Sequence, residues 1–160
     1  MSEEALLKVE DLRVGFETTA GFLRAVDGIS FEIRRGEVLG LVGESGCGKT
    51  VTALSLLRLL SRPPAVIEGG RVLFHGQDLL TLPIEDLRRI RGGQIGMIFQ
   101  EPMTALSPLH RIGDQLVEAA LLHREMPVQE AWALGADWLQ RVGLPDAEQR
   151  MKDYPHQLSG

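Results

Sequence analysis

A chain of 160 residues with 44% hydrophobic and 24% charged side chains has the composition of an ordinary globular protein and the length to bury one core. Its net charge of −5 argues against binding nucleic acid through bulk positive charge. No apolar run reaches the roughly 18 residues needed to cross a bilayer, the opening MSEEALLKVE is acidic where a signal peptide is basic, and the single cysteine, Cys47, excludes an internal disulfide and fits a reducing compartment.

In chain order, LLKVEDLRVGF (6–16) alternates in part between apolar and polar residues and predicts a strand. LRAVDGISFEI (23–33) reads as its partner, with ETTAGF (17–22) as the connecting loop. RRGE (34–37) is a turn, and VLGLVG (38–43) is a continuous apolar run of the kind found in strands buried on both faces. TVTALSLLRLL (50–60) predicts a helix, which SRPPAVIEGG (61–70) breaks. GRVLFHG (70–76) predicts another strand, PIEDLRRI (83–90) a short helix with acids in its first turn, and QIGMIFQ (94–100) a second buried strand. The basic cluster EDLRRIRGGQ (85–94) reads as a solvated helix face. From about residue 104 the spacing turns helical, in RIGDQLVEAALLHRE (111–125) and VQEAWALGADWLQRVG (128–143), with Gly143 as a C-cap. Trp132 and Trp138 read as packing residues of these helices, and His75, His110, His123 and His156 as surface or loop residues. There is no internal repeat and no low-complexity tract.

GESGCGKT, Gly43 to Thr50, carries the strongest chemical signal. It matches the phosphate-loop pattern of Gly, four residues, then Gly-Lys-Thr. Glycines let the backbone curl so that successive N–H groups point at phosphate oxygens, and the following helix adds its positive N-terminal end. Gly43, Glu44, Ser45, Gly46, Cys47 and Gly48 form the predicted nucleotide-binding loop, continuing through Lys49 and Thr50 to Val51 in the helix. Lys49 is a compact charge for the β and γ phosphates. Thr50 offers a hydroxyl to Mg²⁺, a hard ion that prefers oxygen. Cys47 reads as a small filler, since no histidine is arranged to activate it.

Three further stretches narrow the class: RAVDGISFEIRRGEVLGLVGESGCGKT (24–50), MIFQEPMTALSPLH (97–110) and HQLSG (156–160). Together, and in this order, they resemble the ATP-binding subunit of an ABC transporter over essentially the whole chain. QEP followed by SP, and YPHQLSG, look most like the subfamily that powers import of peptides and sometimes nickel. The resemblance implies an α/β fold of the P-loop NTPase class. An antiparallel β subdomain and an incomplete RecA-like core with the Walker A loop and Q-loop would occupy residues 1–103, and a helical subdomain 104–160. It implies ATP and Mg²⁺ as ligands and Gln100 as the Q-loop glutamine, which in the family touches Mg²⁺ and the attacking water. Phe16 matches the aromatic that stacks on adenine, where the family more often has Tyr; Phe22 is the rival. Leu158, Ser159 and Gly160 match the start of the signature LSGGQ, which in the family meets the γ-phosphate held by a facing subunit.

The implied partners are two transmembrane permease subunits, a second ATP-binding subunit or domain and, indirectly, a solute-binding protein, with no nucleic acid. The implied location is peripheral, on the cytoplasmic face of the inner membrane. In the family the chain continues into the rest of the signature, the Walker B strand with its Asp and catalytic Glu, the D-loop and the switch His. Their absence predicts no hydrolysis at a family-like rate by these 160 residues, and leaves VLGLVG and MIFQ without sheet neighbours, so that the fold should be loose and poorly soluble. Two alternatives stay open: a truncated nucleotide-binding remnant, and a non-transport ATPase of the same superfamily, against which QEPMTALSPLH speaks. No residue reads the cargo, so peptides, nickel, glutathione-like solutes and peptide antibiotics all remain.

Overall fold

The computed structural model describes residues 5–100 and 105–158. The chain divides into two compact units, one up to Arg88 and one from Arg89 onward. The predicted boundary between 103 and 104 lies outside the described residues, as do Ser159 and Gly160.

The first unit is built on a four-stranded antiparallel sheet in the order β2-β1-β3-β4. Its strands are β1 (Leu7–Thr18), β2 (Gly21–Ile33), β3 (Ala65–Phe74) and β4 (Gln77–Asp78). β1 buries Leu7 and Val9, then Leu12 and Val14. Strict alternation from Leu7 would turn Asp11 and Arg13 inward. One extra residue resets the phase: the register shifts between Val9 and Leu12, and Asp11 takes φ 47, as a β-bulge requires. The Asp11 N–H donates to Ser30 Oγ at 2.9 Å. Gly70, opposite, has φ 98, and a Cβ there would lie 2.6 Å from Leu12 Cα.

The first hairpin is tighter than the sequence suggests, and a second follows β3. ETTAGF is not a six-residue loop: Thr18 pairs with Gly21, so the strands run on to a turn at Thr19 and Ala20. The Thr18 hydroxyl supplies the turn's bonds, donating to Gly21 O at 2.6 Å and accepting the Ala20 N–H at 3.2 Å. His75 (φ 47) and Gly76 (φ 77) form the second turn, with both residues left-handed as in a type I′ hairpin. β3 begins at Ala65, inside the segment predicted as a break, because Val66 and Ile67 pair with Gly15 and Val14.

The helix α1 (Lys49–Leu56) also stops short of its predicted end at residue 60. Arg58 turns left-handed at φ 53. Its N–H bonds Ser55 O and the Leu59 N–H bonds Leu54 O, closing a Schellman motif, while its guanidinium donates to Leu82 O at 2.6 Å. α2 (Ile84–Ile90) follows the predicted short helix and buries Leu87 and Ile90.

The two runs predicted as buried strands are neither buried nor strands. Among the described residues, 38–43 has no strand partner, and 94–100 makes one isolated bridge, Arg91 to Ile95. Val38 is 95% exposed, Val42 90% and Ile98 94%. Apolarity marks a segment that can be buried in a sheet, but the ladder needs neighbours on both sides, and the described chain supplies none.

In the second unit α3 (Ile112–Leu121), α4 (Val128–Arg141) and α5 (Ala147–Arg150) pack around Ile112, Val117, Ala131, Leu139 and Met151. Gly113 and Gly135 allow the close approach: a Cβ on Gly135 would lie 2.7 Å from Met151 Cε, and one on Gly113 2.6 Å from Trp132 Cη2. α4 ends as predicted, with Gly143 at φ 86; the Gly143 N–H bonds Gln140 O and the Leu144 N–H bonds Leu139 O. Trp132 packs on this core. Trp138 does not: it is 52% exposed, with the Arg141 guanidinium 5.3 Å from its ring centroid. Among the described residues no helix is long and apolar enough to cross a membrane.

Candidate functional site

The phosphate-loop residues come together at the head of α1. Gly46 (φ 82) and Gly48 (φ 95) hold left-handed conformations that a side chain would strain. Gly48 is also pressed against β2, where a Cβ would run into the Ala25 carbonyl. Gly43 lies beneath the Cys47 thiol, 2.5 Å from where its own Cβ would stand to Sγ. The loop is thus shaped by three glycines, each for its own steric reason.

Lys49 turns its ammonium back into the curl. Nζ donates to Gly43 O at 2.8 Å and Glu44 O at 2.6 Å, and lies 3.6 Å from Cys47 Sγ. α1 begins at Lys49 with no side-chain cap on Gly48, so its first N–H groups are available to an anion. Thr50 is exposed and Val51 half-buried in the first turn; Glu44 and Ser45 are exposed. The loop residues Gly48 and Lys49 share with Val26 and Ile29 of β2 and with Thr52 the lining of an open pocket of about 150 Å³.

The two candidate aromatics lie on opposite faces of the sheet. Phe16 follows Leu12 and Val14 in alternation and pairs with Leu23 and with buried Ala65. Val26, which meets the loop at Gly48, pairs with Val14 and shares that face. Phe22 pairs with Glu17 on the other side; its ring covers Gly15, where a Cβ would collide with it. That outer face also carries an ion-pair brace. The Arg24 guanidinium reaches over β1 to Glu68 of β3 with two bonds, of 2.8 and 2.9 Å. The bond to Arg24 holds the Glu68 carboxyl below the usual carboxylate range, and Glu68 in turn holds Arg24 above its ordinary value.

Gln100 belongs to the second unit and is exposed at the end of the run from Gly96. Leu158 ends the 3-10 turn Pro155–Leu158 and packs on the helical core. The ring of His156 stacks on Tyr154 at 5.8 Å. Sequence reasoning passed over Gln115, whose carboxamide bonds the Ser107–His110 turn, and gave His123 no more than a surface position, although its ring lies against Gly92 and Gly93. Neither carries a sequence signal, because each acts on backbone distant in the chain.

A family model described as ABC transporter matches residues 26–160. The chain is 46% identical over 157 residues to the probable peptide ABC transporter ATP-binding protein y4tR of Sinorhizobium fredii, covering 98% of this chain and 47% of that protein. It is 47% identical, with the same coverage of 98% and 47%, to the dipeptide transport ATP-binding protein DppD of Bacillus subtilis. To the oligopeptide transport ATP-binding protein OppD of Escherichia coli it is 46% identical, covering 98% and 46%. The chain therefore spans about half the length of the curated relatives it matches. Among solved structures, the dimeric bacterial ABC transporter cassette MJ0796 superposes with a TM-score of 0.80 at 21% identity, over 96% of this chain and 63% of that one. The phosphate loop at the head of α1, the cassette fold and these matches lead to one conclusion: the chain belongs to the ABC transporter family, in the branch that holds the peptide-transport ATP-binding proteins.

Proposed function

We propose that this chain is the ATP-binding, energy-coupling part of an ABC importer for peptides or related solutes. The observation that carries the reading is the loop itself: Lys49 Nζ sits inside a glycine-shaped curl at an uncapped helix start. Phosphate oxygens would exchange for the two carbonyls that Nζ now binds, gaining charge-assisted bonds from the ammonium and bonds from the first N–H groups of α1. The exposed Thr50 hydroxyl is the oxygen donor suited to Mg²⁺, with Gln100 as the second. Bound Mg²⁺ supplies positive charge against the β and γ phosphates. Phe16 is the adenine-stacking residue in this reading, because the phosphate loop lies on its face of the sheet and not on that of Phe22.

Ser159 and Gly160 would serve the nucleotide of a facing cassette. Residues 1–103 would hold the nucleotide and 104–160 would face two membrane permease subunits at the cytoplasmic side of the membrane. Peptide cargo is proposed from the printed functions of the relatives. The 160 residues alone bind ATP without turning it over at a family-like rate. Among the described residues no group of three His, Cys, Asp or Glu side chains is placed to hold a metal. Displacement of a fluorescent ATP analogue tests the binding. ATP and ADP should compete and adenosine should not, because the phosphates carry the recognition; equal competition by adenosine would refute it. Release of phosphate from excess ATP at many turnovers per second would refute the second part.

A further inference from the structure

The strand residue before Phe16 is Gly15, which is buried. Its φ lies outside the left-handed region, so the backbone conformation there does not call for a glycine. The neighbouring strand does: a Cβ on Gly15 would stand in the Phe22 ring, and 2.9 Å from Leu23 O. Phe22 reaches this place diagonally, since it pairs with Glu17 while Gly15 pairs with Arg24. Arg24 leaves from the same position and crosses β1 to Glu68 of β3, with bonds of 2.8 and 2.9 Å. The chain is soft at this point. The β1–β2 register shifts between Val14 and Gly15, and a glycine beside a break in the ladder keeps more backbone freedom than any other residue. Past Phe16 the strand is tied again, the Glu17 N–H donating to Pro64 O at 2.9 Å. Phe16 therefore stands between a tied residue and a loose one, and the Phe22 ring covers the loose one.

We propose that Phe22 is a positioning residue for Phe16: its ring fills the space over Gly15 from one face of the sheet and so fixes the direction in which Phe16 is presented on the other. An aromatic side chain laid over a strand glycine from the neighbouring strand recovers stiffness that the glycine costs the sheet. The two candidate aromatics are then not rivals for one role. Phe16 meets the base, and Phe22 acts without touching the nucleotide, because it lies on the face away from the phosphate loop. The functional side of the inference rests on the proposed stacking of adenine on Phe16; the hold of the ring on Gly15 does not.

Competition of ATP and of inorganic tripolyphosphate against a fluorescent ATP analogue, on the 160-residue chain, reads the base and the phosphates separately. Phe16→Ala should weaken ATP by about tenfold, as expected for a lost stacking partner, and leave tripolyphosphate unchanged. Phe22→Ala should weaken ATP by part of that factor, again without moving tripolyphosphate. Phe22→Met, whose unbranched chain is long enough to lie over Gly15, should recover most of the loss. The double variant Phe16→Ala with Phe22→Ala should bind ATP no more weakly than Phe16→Ala, since nothing is left to position. Amide exchange over residues 13–18 should be faster in Phe22→Ala than in wild type, with exchange over 112–121 unchanged. If Phe16→Ala behaves as stated while Phe22→Ala matches wild type, the positioning role is overturned. Losses that multiply in the double variant, a weakened tripolyphosphate, or unchanged exchange over 13–18 overturn it equally. If Phe22→Ala weakens ATP and Phe16→Ala does not, Phe22 is itself the base contact and the role falls. If neither substitution changes ATP affinity, the stacking of adenine on Phe16 fails and the functional role falls with it; faster exchange confined to 13–18 would then still support the hold of the ring on β1.

Discussion

Alanine at Gly48 should damage the loop more than alanine at Gly46, and the difference separates two physical costs. Both glycines hold positive φ, 82 at Gly46 and 95 at Gly48, so each substitution forces a Cβ into a left-handed conformation at about 1–2 kcal/mol. At Gly46 nothing lies within 4 Å of the added Cβ, and that strain is the whole cost. At Gly48 the Cβ also runs into the Ala25 carbonyl, with Val26 Cγ2 at 3.5 Å. The obstacle is backbone and not the flexible end of a side chain, so overpacking adds about 1–3 kcal/mol. Gly46→Ala should therefore cost about 1–2 kcal/mol and Gly48→Ala about 2–5 kcal/mol, out of a total of about 5–15 kcal/mol for a domain. Urea unfolding followed by far-ultraviolet circular dichroism measures both. Equal losses, or a larger loss at Gly46, would refute the claim that Gly48 is shaped by its contact with β2.

Removing the charge of Glu68 should flatten the acid limb of the stability curve. The folded-state carboxyl is held below the ordinary 4.5 by its bond to Arg24. Its contribution is therefore complete above the unfolded value and is lost as pH falls through the lowered folded value. Unfolding midpoints of wild type and Glu68→Gln should differ at neutral pH and converge in acid; a constant difference at all pH values would contradict this. The run at 38–43 exposes Val38, Leu39, Leu41 and Val42 together, an apolar patch that invites association. Val42→Lys, at a position 90% exposed, should lower the sedimentation-average mass at high concentration and leave unfolding within about 0.5 kcal/mol of wild type. An unchanged mass would show that this patch does not drive association.

The phosphate loop was legible because its chemistry is local: eight consecutive residues supply the curl, the charge and the hydroxyl. The helices α3 and α4 were legible by period, and the end of α4 by Gly143. Misreadings arose where the deciding partner is remote or is a side chain. VLGLVG has a strand's composition, but pairing depends on neighbours that the described chain does not supply. The hairpin at Thr19 depends on the Thr18 hydroxyl, and α1 stops early because Arg58 accepts a left-handed turn anchored on Leu82 O. Trp138 looked like core by type, yet its position on α4 turns it outward, beneath Arg141. Gln115 and His123 look ordinary in sequence because their partners are backbone groups of distant turns.

Isothermal titration of ATP into wild type and Lys49→Ala tests the central claim most directly. Lys49 Nζ makes its bonds to backbone carbonyls of its own loop, so its removal should leave the far-ultraviolet spectrum close to that of wild type. The phosphates lose one charge-assisted partner, worth about 1.5–3 kcal/mol, or about ten- to a hundredfold in affinity. Saturable binding by wild type, weakened to that degree in the variant, is the predicted result. Equal binding by the two, or none by folded wild type, would contradict the assignment of this loop as the nucleotide site.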